Sequence, residues 1–367
     1  MKTAGTHMIV KQPKGFSLVE LMVAVTISLI LLAGVVQIYS SSKQAYRIGD
    51  ASARVQENAR FAVDHLSKDI RMAGYLGCGT DGTNIANTLQ NSSTSWMLNF
   101  QSPLIGYDGG NSTFPTLSKT PLANTDAIVV LQGDTDDSFV VTKHKPSAAV
   151  IQLSDNHNIK QGEILIISDC SQKAGIFQMS NVNNNNTISV VGHNIGNATT
   201  PGNCTKNLVA LTPYADCNDQ GNISKVAYSE GSMLMRMKSS IYYLASNPDG
   251  IPSLYRESLI SGSATGTAVA TNTQELVEGV QDMQIQYGRD TDGDGIPNQY
   301  QAAHNIGAGN WGDVVAVRIQ LLLRSIKEAS PQEQAYTFNG TTVSSPGDRY
   351  IRRVVSSTIK VRNRGDR

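Results

Sequence analysis

The chain has 367 residues and equal numbers of basic and acidic side chains, 30 of each, so its formal net charge is zero. This length is enough to bury a substantial core in one elaborate domain or two modest ones. The balanced charge gives no general reason to expect nucleic acid or an anionic surface as a partner. Only 16% of the residues are charged, which is more typical of a β-rich exported protein than of a helical cytosolic enzyme.

The first 36 residues combine a basic segment with an apolar one. Lys2, Lys11 and Lys14 precede an apolar run over residues 18–36, which is long enough to cross a hydrocarbon layer of about 30 Å. Because the basic residues come first, we predict that they stay in the cytoplasm and that the rest of the chain is exported. The run contains one carboxylate, Glu20. A charge at the membrane centre costs about 2.5–3.5 kcal/mol, so Glu20 requires a partner.

Two simple interpretations of this segment do not explain it. An ordinary secretory signal is cut after its apolar region at a site of small residues, and residues 33–35 form only a poor site. A plain signal anchor has no use for a carboxylate near the start of its span. By contrast, the sequence G-F-S-L-V-E-L at residues 15–21, together with the apolar run, resembles the leader of type IV pilins and type II secretion pseudopilins.

This resemblance implies a processing step and an assembly role. A prepilin peptidase is expected to remove residues 1–15 by cutting after Gly15, and the new amino terminus at Phe16 is expected to be methylated. The family's assembly residues correspond to Phe16 and Glu20. Cutting here removes the lysines that hold the segment in the bilayer. The amine of one subunit and the carboxylate of its neighbour can then neutralise each other.

A single long helix is predicted over residues 16–72, with its transmembrane part over residues 16–36. No proline interrupts it, and Gly74 and Gly77 are suited to end it. At 1.5 Å per residue this helix is about 85 Å long. In its second half, apolar residues recur at spacings of four and three, which predicts one buried face. These residues are Val55, Ala59, Ala62, Leu66 and Ile70.

The rest of the chain is predicted to be mainly β-structure. Residues 73–239 are expected to form a polar loop and a small inserted β module, and residues 240–367 a C-terminal sheet that packs on the helix. Candidate strands of the module are residues 127–131, 139–142, 149–153, 163–168, 176–180, 187–191 and 208–211, with turns at 134–137 and 181–186 among them. Candidate strands of the C-terminal sheet are residues 240–244, 276–287, 314–324 and 350–361.

Two further stretches, residues 66–78 and 311–324, resemble the PilW-type minor pilins, which are related to the J-type pseudopilins. The resemblance implies a pilin-like α+β fold, in which the long N-terminal helix packs on an antiparallel β-sheet head. It also implies a structural subunit, not an enzyme, that takes part in assembly or priming of a type IV pilus. Motility, adhesion and DNA uptake are the processes such pili serve.

The same resemblance implies partners and a location. The expected partners are other minor and major pilins, the prepilin peptidase and the inner-membrane assembly machinery. Before assembly the protein is expected to span the inner membrane once with a periplasmic head, and afterwards to lie in the pilus at the cell surface. Direct contact with nucleic acid is not expected, because the basic C-terminal tail lacks interleaved aromatic residues for stacking on bases. We interpret Arg352 and Arg353 as guards of an edge strand.

Other functions stay open on the sequence alone. A J-like pseudopilin of a type II secretion system and a signal-anchored, calcium-binding surface adhesin are the alternatives to a minor pilin. An enzyme is not expected, because the chain lacks the H-E-x-x-H, G-x-S-x-G, P-loop and dinucleotide-binding motifs. Its histidines are scattered along the sequence.

The four cysteines are Cys78, Cys170, Cys204 and Cys217. An even number in an exported chain predicts two disulfides, although three pairings are possible and four free thiols are the alternative. We favour Cys204 with Cys217, since this pair closes a short loop, and this leaves Cys78 with Cys170.

One acidic segment has the spacing of a calcium loop. Aspartates at its first, third and fifth positions and a glycine at its sixth match the EF-hand type of loop. The candidate ligands are Asp290, Asp292, Asp294, Ile296 through its carbonyl, Asn298 and Gln301. Gln301 stands where a bidentate acid is expected, which lowers the expected affinity. The prediction is a weak Ca²⁺ site that stiffens the loop, and the alternative is a polar hairpin turn.

Overall fold

The computed structural model describes residues 15–77, 84–169, 173–185, 188–196, 199–219, 223–224, 226–262 and 269–364. Two predicted features lie outside these residues: the leader up to residue 14, and the disulfide between Cys78 and Cys170. The described residues form one long N-terminal helix and a head made of β-sheets. The predicted pilin-like α+β architecture is therefore confirmed.

The helix α1, Leu18–Met72, has 55 residues, which makes it about 80 Å long. At its start, the Ser17 hydroxyl accepts the N–H of Glu20 and the Glu20 carboxylate accepts the N–H of Ser17. This reciprocal cap satisfies two donors that the first helical turn leaves free. At the other end, Asn363 Nδ2 donates to the Met72 carbonyl oxygen at 3.2 Å. The predicted helix is confirmed, with a start two residues later than expected.

The two halves of α1 differ in what surrounds them. Residues 18–43 are exposed, whereas the head buries one face of the second half. The five apolar positions predicted from their spacing are all buried: Val55, Ala59, Ala62, Leu66 and Ile70. Their side chains share one core with residues from several strands. The 3.6-residue period therefore predicts correctly which face of the helix docks on the head.

The described residues after α1 contain twenty strands and four short 3-10 helices. In chain order the strands are β1 Asn84–Asn87, β2 Leu104–Tyr107, β3 Ala127–Lys145, β4 Val150–Leu153, β5 Ile164–Asp169, β6 Lys173–Gln178, β7 Asn181–Asn185, β8 Ile188–Gly192, β9 Val209–Ala210, β10 Tyr214–Ala215, β11 Ile223–Ser224, β12 Met233–Ser246, β13 Pro252–Ile260, β14 Ala270–Glu278, β15 Val280–Arg289, β16 Gln299–Gln301, β17 Val314–Arg324, β18 Tyr336–Phe338, β19 Thr341–Val343 and β20 Arg352–Lys360. The 3-10 helices are Ser92–Thr94, Pro146–Ala148, Ala303–Asn305 and Ala308–Asp313.

The larger sheet has twelve described strands in the order β10-β1-β6-β5-β12-β3-β4-β8-β7, with β2 beside β3 and with β13 and β14 continuing from β12. Its pairs are antiparallel, apart from β1, which is parallel to both β10 and β6. Two small pairs, β9–β11 and β18–β19, complete the head.

Two predicted turns belong to strands of this sheet instead. Residues 134–137 lie inside β3, and the asparagine tract forms β7. The acidic run stays in a strand because β12 supplies cations beside it. Lys238 Nζ lies 2.7 Å from an Asp134 carboxylate oxygen, and Arg236 pairs with Asp137. These partners are about one hundred residues away in the chain, so local sequence does not reveal them.

The smaller sheet has the order β16-β15-β17-β20 and is antiparallel. It packs on the second half of α1, as predicted. The residues that alternate along its two central strands enter the same core as the helix face: Met283, Ile285 and Tyr287 from β15, and Val317, Ile319 and Leu321 from β17. The strand predicted over residues 276–287 is wrong in one respect. Gly279 has a φ of +80° and separates it into β14 and β15.

The strand predicted over residues 240–244 for this sheet lies instead in the larger one, within β12, where it pairs with β3 and β13. Tyr242 and Leu244 enter the helix core, while Ile241 and Tyr243 enter a second core on the opposite face. A strand that is apolar on both faces belongs inside a layered structure. The strands β12 to β14 therefore belong to the larger sheet and not to the smaller one.

We predict that Leu66→Ala lowers the free energy of unfolding of the head by about 2–5 kcal/mol, because it leaves a cavity in a well-packed core. Leu66 is fully buried, whereas Leu32 on the same helix is 59% exposed. The matched variant Leu32→Ala should therefore change the unfolding free energy by less than about 0.5 kcal/mol. Urea unfolding of the detergent-solubilised chain, followed by tryptophan fluorescence, measures both. Equal effects of the two variants would contradict the docking of α1.

Candidate functional site

The N-terminal end of α1 presents an aromatic residue and a carboxylate on an exposed, otherwise apolar surface. Gly15 and Phe16 precede the helix, and Phe16 is 87% exposed. Glu20 Oε2 accepts the N–H of Ser17 at 3.0 Å. The other carboxylate oxygen, Oε1, accepts no hydrogen bond from any residue that the structure describes. The helix cap therefore orients the carboxylate through one oxygen and leaves the second one available.

The exposed half of α1 is long and apolar enough to cross a membrane, judged by length and composition. None of its most apolar window is buried within the chain. Large side chains on every side of this half face outward, for example Leu18 at 75% and Ile30 at 72% exposure. A helix that is hydrophobic all round needs lipid or other protein around it.

The acidic loop connects β15 to β16 at the edge of the smaller sheet. Carboxylate oxygens of Asp290, Asp292 and Asp294 all lie within 4.8 Å of one another. Gly293 and Gly295 have φ values of +83° and +78°, and these left-handed conformations turn the loop back on itself. The sequence spacing therefore does bring the three predicted carboxylates together.

Backbone N–H groups of the loop point at the first of these carboxylates. Asp290 accepts from Asp292 at 3.2 Å, from Gly293 at 2.7 Å and from Gly295 at 2.8 Å. These bonds, led by the one from Gly295, hold the pKa of Asp290 below its usual range. The loop is also fixed to its neighbour, because the N–H of Asp290 donates to the Asp313 carbonyl oxygen at 2.9 Å.

Of the other predicted ligands, Asn298 and Ile296 contact the aspartates, whereas Gln301 lies in the next strand. Asn298 Oδ1 accepts the N–H of Thr291 at 2.6 Å, and Asn298 Nδ2 donates to Asp292 at 3.1 Å. Ile296 is exposed, and its N–H donates to Asp294 at 2.8 Å. Gln301 lies in β16 opposite Tyr287, and its Oε1 is buried without a hydrogen-bond partner among the described residues. The converging donors are oxygens, the ligand type that Ca²⁺ prefers, so the three aspartates fit the predicted ion.

Two family matches coincide with these features. The family described as "Type IV Pilus-assembly protein W" matches residues 241–363, and the prokaryotic N-terminal methylation motif matches residues 11–36. The two matches support a type IV pilus minor pilin of the PilW family. Membership implies a structural rather than a catalytic role in pilus assembly. The methylation motif contains Gly15, Phe16 and Glu20, and the PilW match covers the smaller sheet and the acidic loop.

A type IV-like pilin from Thermus thermophilus is similar to this pilin, with 15% sequence identity, coverage of 55% of this chain and 86% of that chain, and a TM-score of 0.21. No curated protein was found to be similar in sequence. The family assignment therefore comes from the two sequence matches.

The structure of this pilin contains the disulfide between Cys204 and Cys217. It joins the segment after β8 to the segment after β10, at one edge of the larger sheet. The N–H of Cys204 donates to the Thr88 carbonyl oxygen at 2.9 Å, so the bridge is also attached to the segment that follows β1. Cross-linking this edge restricts the unfolded chain more than the folded one.

Two histidines of the pilin that are far apart in the sequence form a buried pair. The Nε2 atoms of His144 and His193 lie 3.2 Å apart. The N–H of Tyr228 donates to His144 Nδ1 at 3.1 Å, so the proton of His144 is on Nε2 and points to His193. Both imidazoles are then neutral. Burial lowers the pKa of both, and the neighbouring His144 lowers that of His193 further.

We predict that this pair makes the head less stable in acid. Unfolded imidazoles have a pKa of about 6.5, so below that pH the unfolded chain binds protons that the folded pair does not. The unfolding free energy should therefore fall as the pH drops from about 6.5 towards 5. Urea midpoints measured across this range test it.

The control for this measurement uses histidine substitutions in two places. The double variant His144→Gln, His193→Gln should lose most of the decline with pH, even if it is less stable at neutral pH. His65→Gln, on the surface of α1, should keep the decline of the unaltered pilin. A double variant with the same pH dependence as the unaltered pilin would contradict the assignment to this pair.

Proposed function

We propose that this minor pilin becomes able to assemble when prepilin peptidase cuts after Gly15 and the amino group of Phe16 is methylated. The exposure of both residues ahead of the helix supports this, since a peptidase needs an accessible, extended segment. The cut separates the apolar half of α1 from the basic residues that precede it. The helix can then leave the bilayer for the filament.

We propose further that Glu20 binds the amino group of Phe16 on a neighbouring subunit. The supporting observation is the cap: Ser17 occupies Oε2 and orients the carboxylate, while Oε1 is available. The positive amine and the negative carboxylate would each be costly alone in apolar surroundings. Their pairing offsets that cost and sets the axial position of one helix against the next.

The membrane topology belongs to the same proposal. We place the unassembled pilin in the inner membrane as a single-pass protein with its head in the periplasm, and the assembled pilin in the pilus at the cell surface. The lysines before residue 15 support this orientation through the positive-inside rule. Other minor and major pilins and the inner-membrane assembly machinery are the proposed partners.

We predict that Glu20→Gln lowers incorporation into pili about tenfold or more, because it removes one member of a charge pair in apolar surroundings. Glutamine still fits the helix cap, so folding and leader removal should be unchanged. The matched variant Glu57→Gln, on the exposed side of the same helix, should incorporate normally. Immunoblots of sheared pili and of membranes measure both variants.

Mass spectrometry of the amino terminus accompanies that experiment. The unaltered pilin and both variants should begin at methylated Phe16. Retention of residues 1–15 in cells with an active peptidase would contradict the processing step, and normal incorporation of the Glu20 variant would contradict the pairing alone.

We also propose that the acidic loop binds Ca²⁺ and that the ion stiffens the connection between β15 and β16. The convergence of Asp290, Asp292 and Asp294 supports the proposal. Three carboxylates so close together repel one another, and a divalent cation removes that repulsion. When bound, the ion would supply no chemistry beyond holding these ligands.

Calorimetry with the purified pilin should show Ca²⁺ binding with a dissociation constant of about 10⁻⁴ to 10⁻³ M, the range of weak extracellular sites. Asp292→Asn should weaken binding, because it removes one of three converging charges. Asp249→Asn alters another exposed aspartate, in the turn between β12 and β13, and should leave binding unchanged. No heat of binding at millimolar Ca²⁺ would eliminate the site.

A further inference from the structure

We propose that a cleft between α1 and the segment after β17 is the docking site for an acidic segment of a neighbouring pilin subunit. We call it the shaft cleft, and it lies between residues 46–58 of α1 and residues 324–329 of the head. The inference rests on the assembly function proposed above, and it names the surface and the partner chemistry that assembly uses.

Two hydrogen bonds attach α1 to the head at either end of the shaft cleft. Gln44 Nε2 donates to the Ala329 carbonyl oxygen at 2.6 Å, and Asn58 Nδ2 donates to the Glu278 carbonyl oxygen at 3.0 Å. These two helical residues are about 21 Å apart along the axis. Between them, helix and head line a cavity of about 680 Å³. That volume lies within the range of sites that bind a ligand or several side chains.

The charges that line the shaft cleft are unbalanced. The positive side chains are Arg47, Arg54, Arg324 and Lys327, and the negative ones are Asp50, Glu278 and Glu328. Asp50 already pairs with Arg54 at 3.1 Å, and Glu328 pairs with Arg349 at 3.0 Å. Among the residues that the structure describes, Arg47 and Lys327 have no carboxylate partner. Of the lining carboxylates this leaves Glu278 to balance three cations.

Arg324 is the second, independent sign of a missing partner. Its guanidinium lies over the Tyr350 ring, 4.3 Å from the ring centroid. Its Nε is buried and has no hydrogen-bond acceptor in the described part of the chain. The charge of Arg324 contributes to lowering the pKa of Asp348. The two carboxylate oxygens of Asp348, however, each accept a hydrogen bond from Arg352 at 2.6 Å. The wall of the shaft cleft therefore carries a cation with little compensation from the described residues of its own chain.

The position of the shaft cleft points to a pilin as the occupant. Tyr46 lies at the end of the cleft nearer the N-terminus of α1 and is 76% exposed. It is about 15 Å beyond the end of the apolar run over residues 18–36. Because α1 continues without interruption from the apolar half into this region, a subunit that packs along the apolar half reaches the shaft cleft next. Carboxylates on that subunit would complement its cations and favour one partner and one register.

Photo-crosslinking in piliated cells tests where the partner lies. A photo-reactive residue replaces Lys327 in the shaft cleft. In a second protein it replaces Tyr39, in the exposed first half of α1, as the reference position. Both positions should give adducts with another pilin, and mass spectrometry of the Lys327 adduct should identify a peptide rich in Asp or Glu. Adducts from Tyr39 alone would overturn the inference and leave the proposed assembly function intact, whereas failure at both positions would contradict both. Lys327 adducts limited to lipid or to a second copy of this chain would also overturn it.

Charge reversal tests the chemistry of the contact. The double variant Arg47→Glu, Lys327→Glu should lower incorporation into pili at least tenfold, while the charge-conserving variant Arg47→Lys, Lys327→Arg should incorporate normally. A matched reversal of two exposed lysines on β3, Lys143→Glu with Lys145→Glu, should have no effect. Leader removal and membrane levels, measured on the same samples, report whether each variant folds. Normal incorporation of the R47E/K327E variant would overturn the inference.

Discussion

The structure depends on one continuous helix whose two halves need different surroundings. The second half of α1 is held in a core with both sheets, so its direction is fixed by the head. The first half continues in the same direction without any cover from the described residues of its own chain. Exposing that much apolar surface to water is strongly unfavourable, since each Å² costs about 25 cal/mol. The apolar half of α1 therefore favours surroundings of lipid or other protein.

Within the apolar half of α1, Glu20 is the charged group that requires a partner. The Ser17 cap reduces the cost of the carboxylate because a backbone N–H at a helix start is both a donor and the positive end of the helix dipole. A cap does not remove the charge. A helix packed among other apolar helices therefore favours the one arrangement in which a cation meets Glu20. In the proposed assembly, this pairing would give the otherwise uniform apolar surfaces a preferred axial position.

The features that the sequence predicts well are local ones. The five buried positions from Val55 to Ile70 follow from the period of one helix, and the clustering of Asp290, Asp292 and Asp294 follows from their spacing within one loop. Most of the errors and omissions involve distant partners; the division of residues 276–287 at Gly279 is a local one. Residues 134–137 are held in β3 by cations of β12, and His144 meets His193 across the larger sheet. The shaft cleft likewise combines α1 with a segment more than 260 residues later. No local pattern contains these contacts.

The position of β12 between two cores determines how the head holds the shaft. Its Tyr242 and Leu244 join the helix core, while its Ile241 and Tyr243 join the core on the other face. Tyr242 also donates through its hydroxyl to Asp69 of α1. The helix core thus contains side chains from both the larger and the smaller sheet. Pulling α1 away from either sheet must open this shared core. Because close-packed side chains resist small separations, a load on the strands of this core passes into α1.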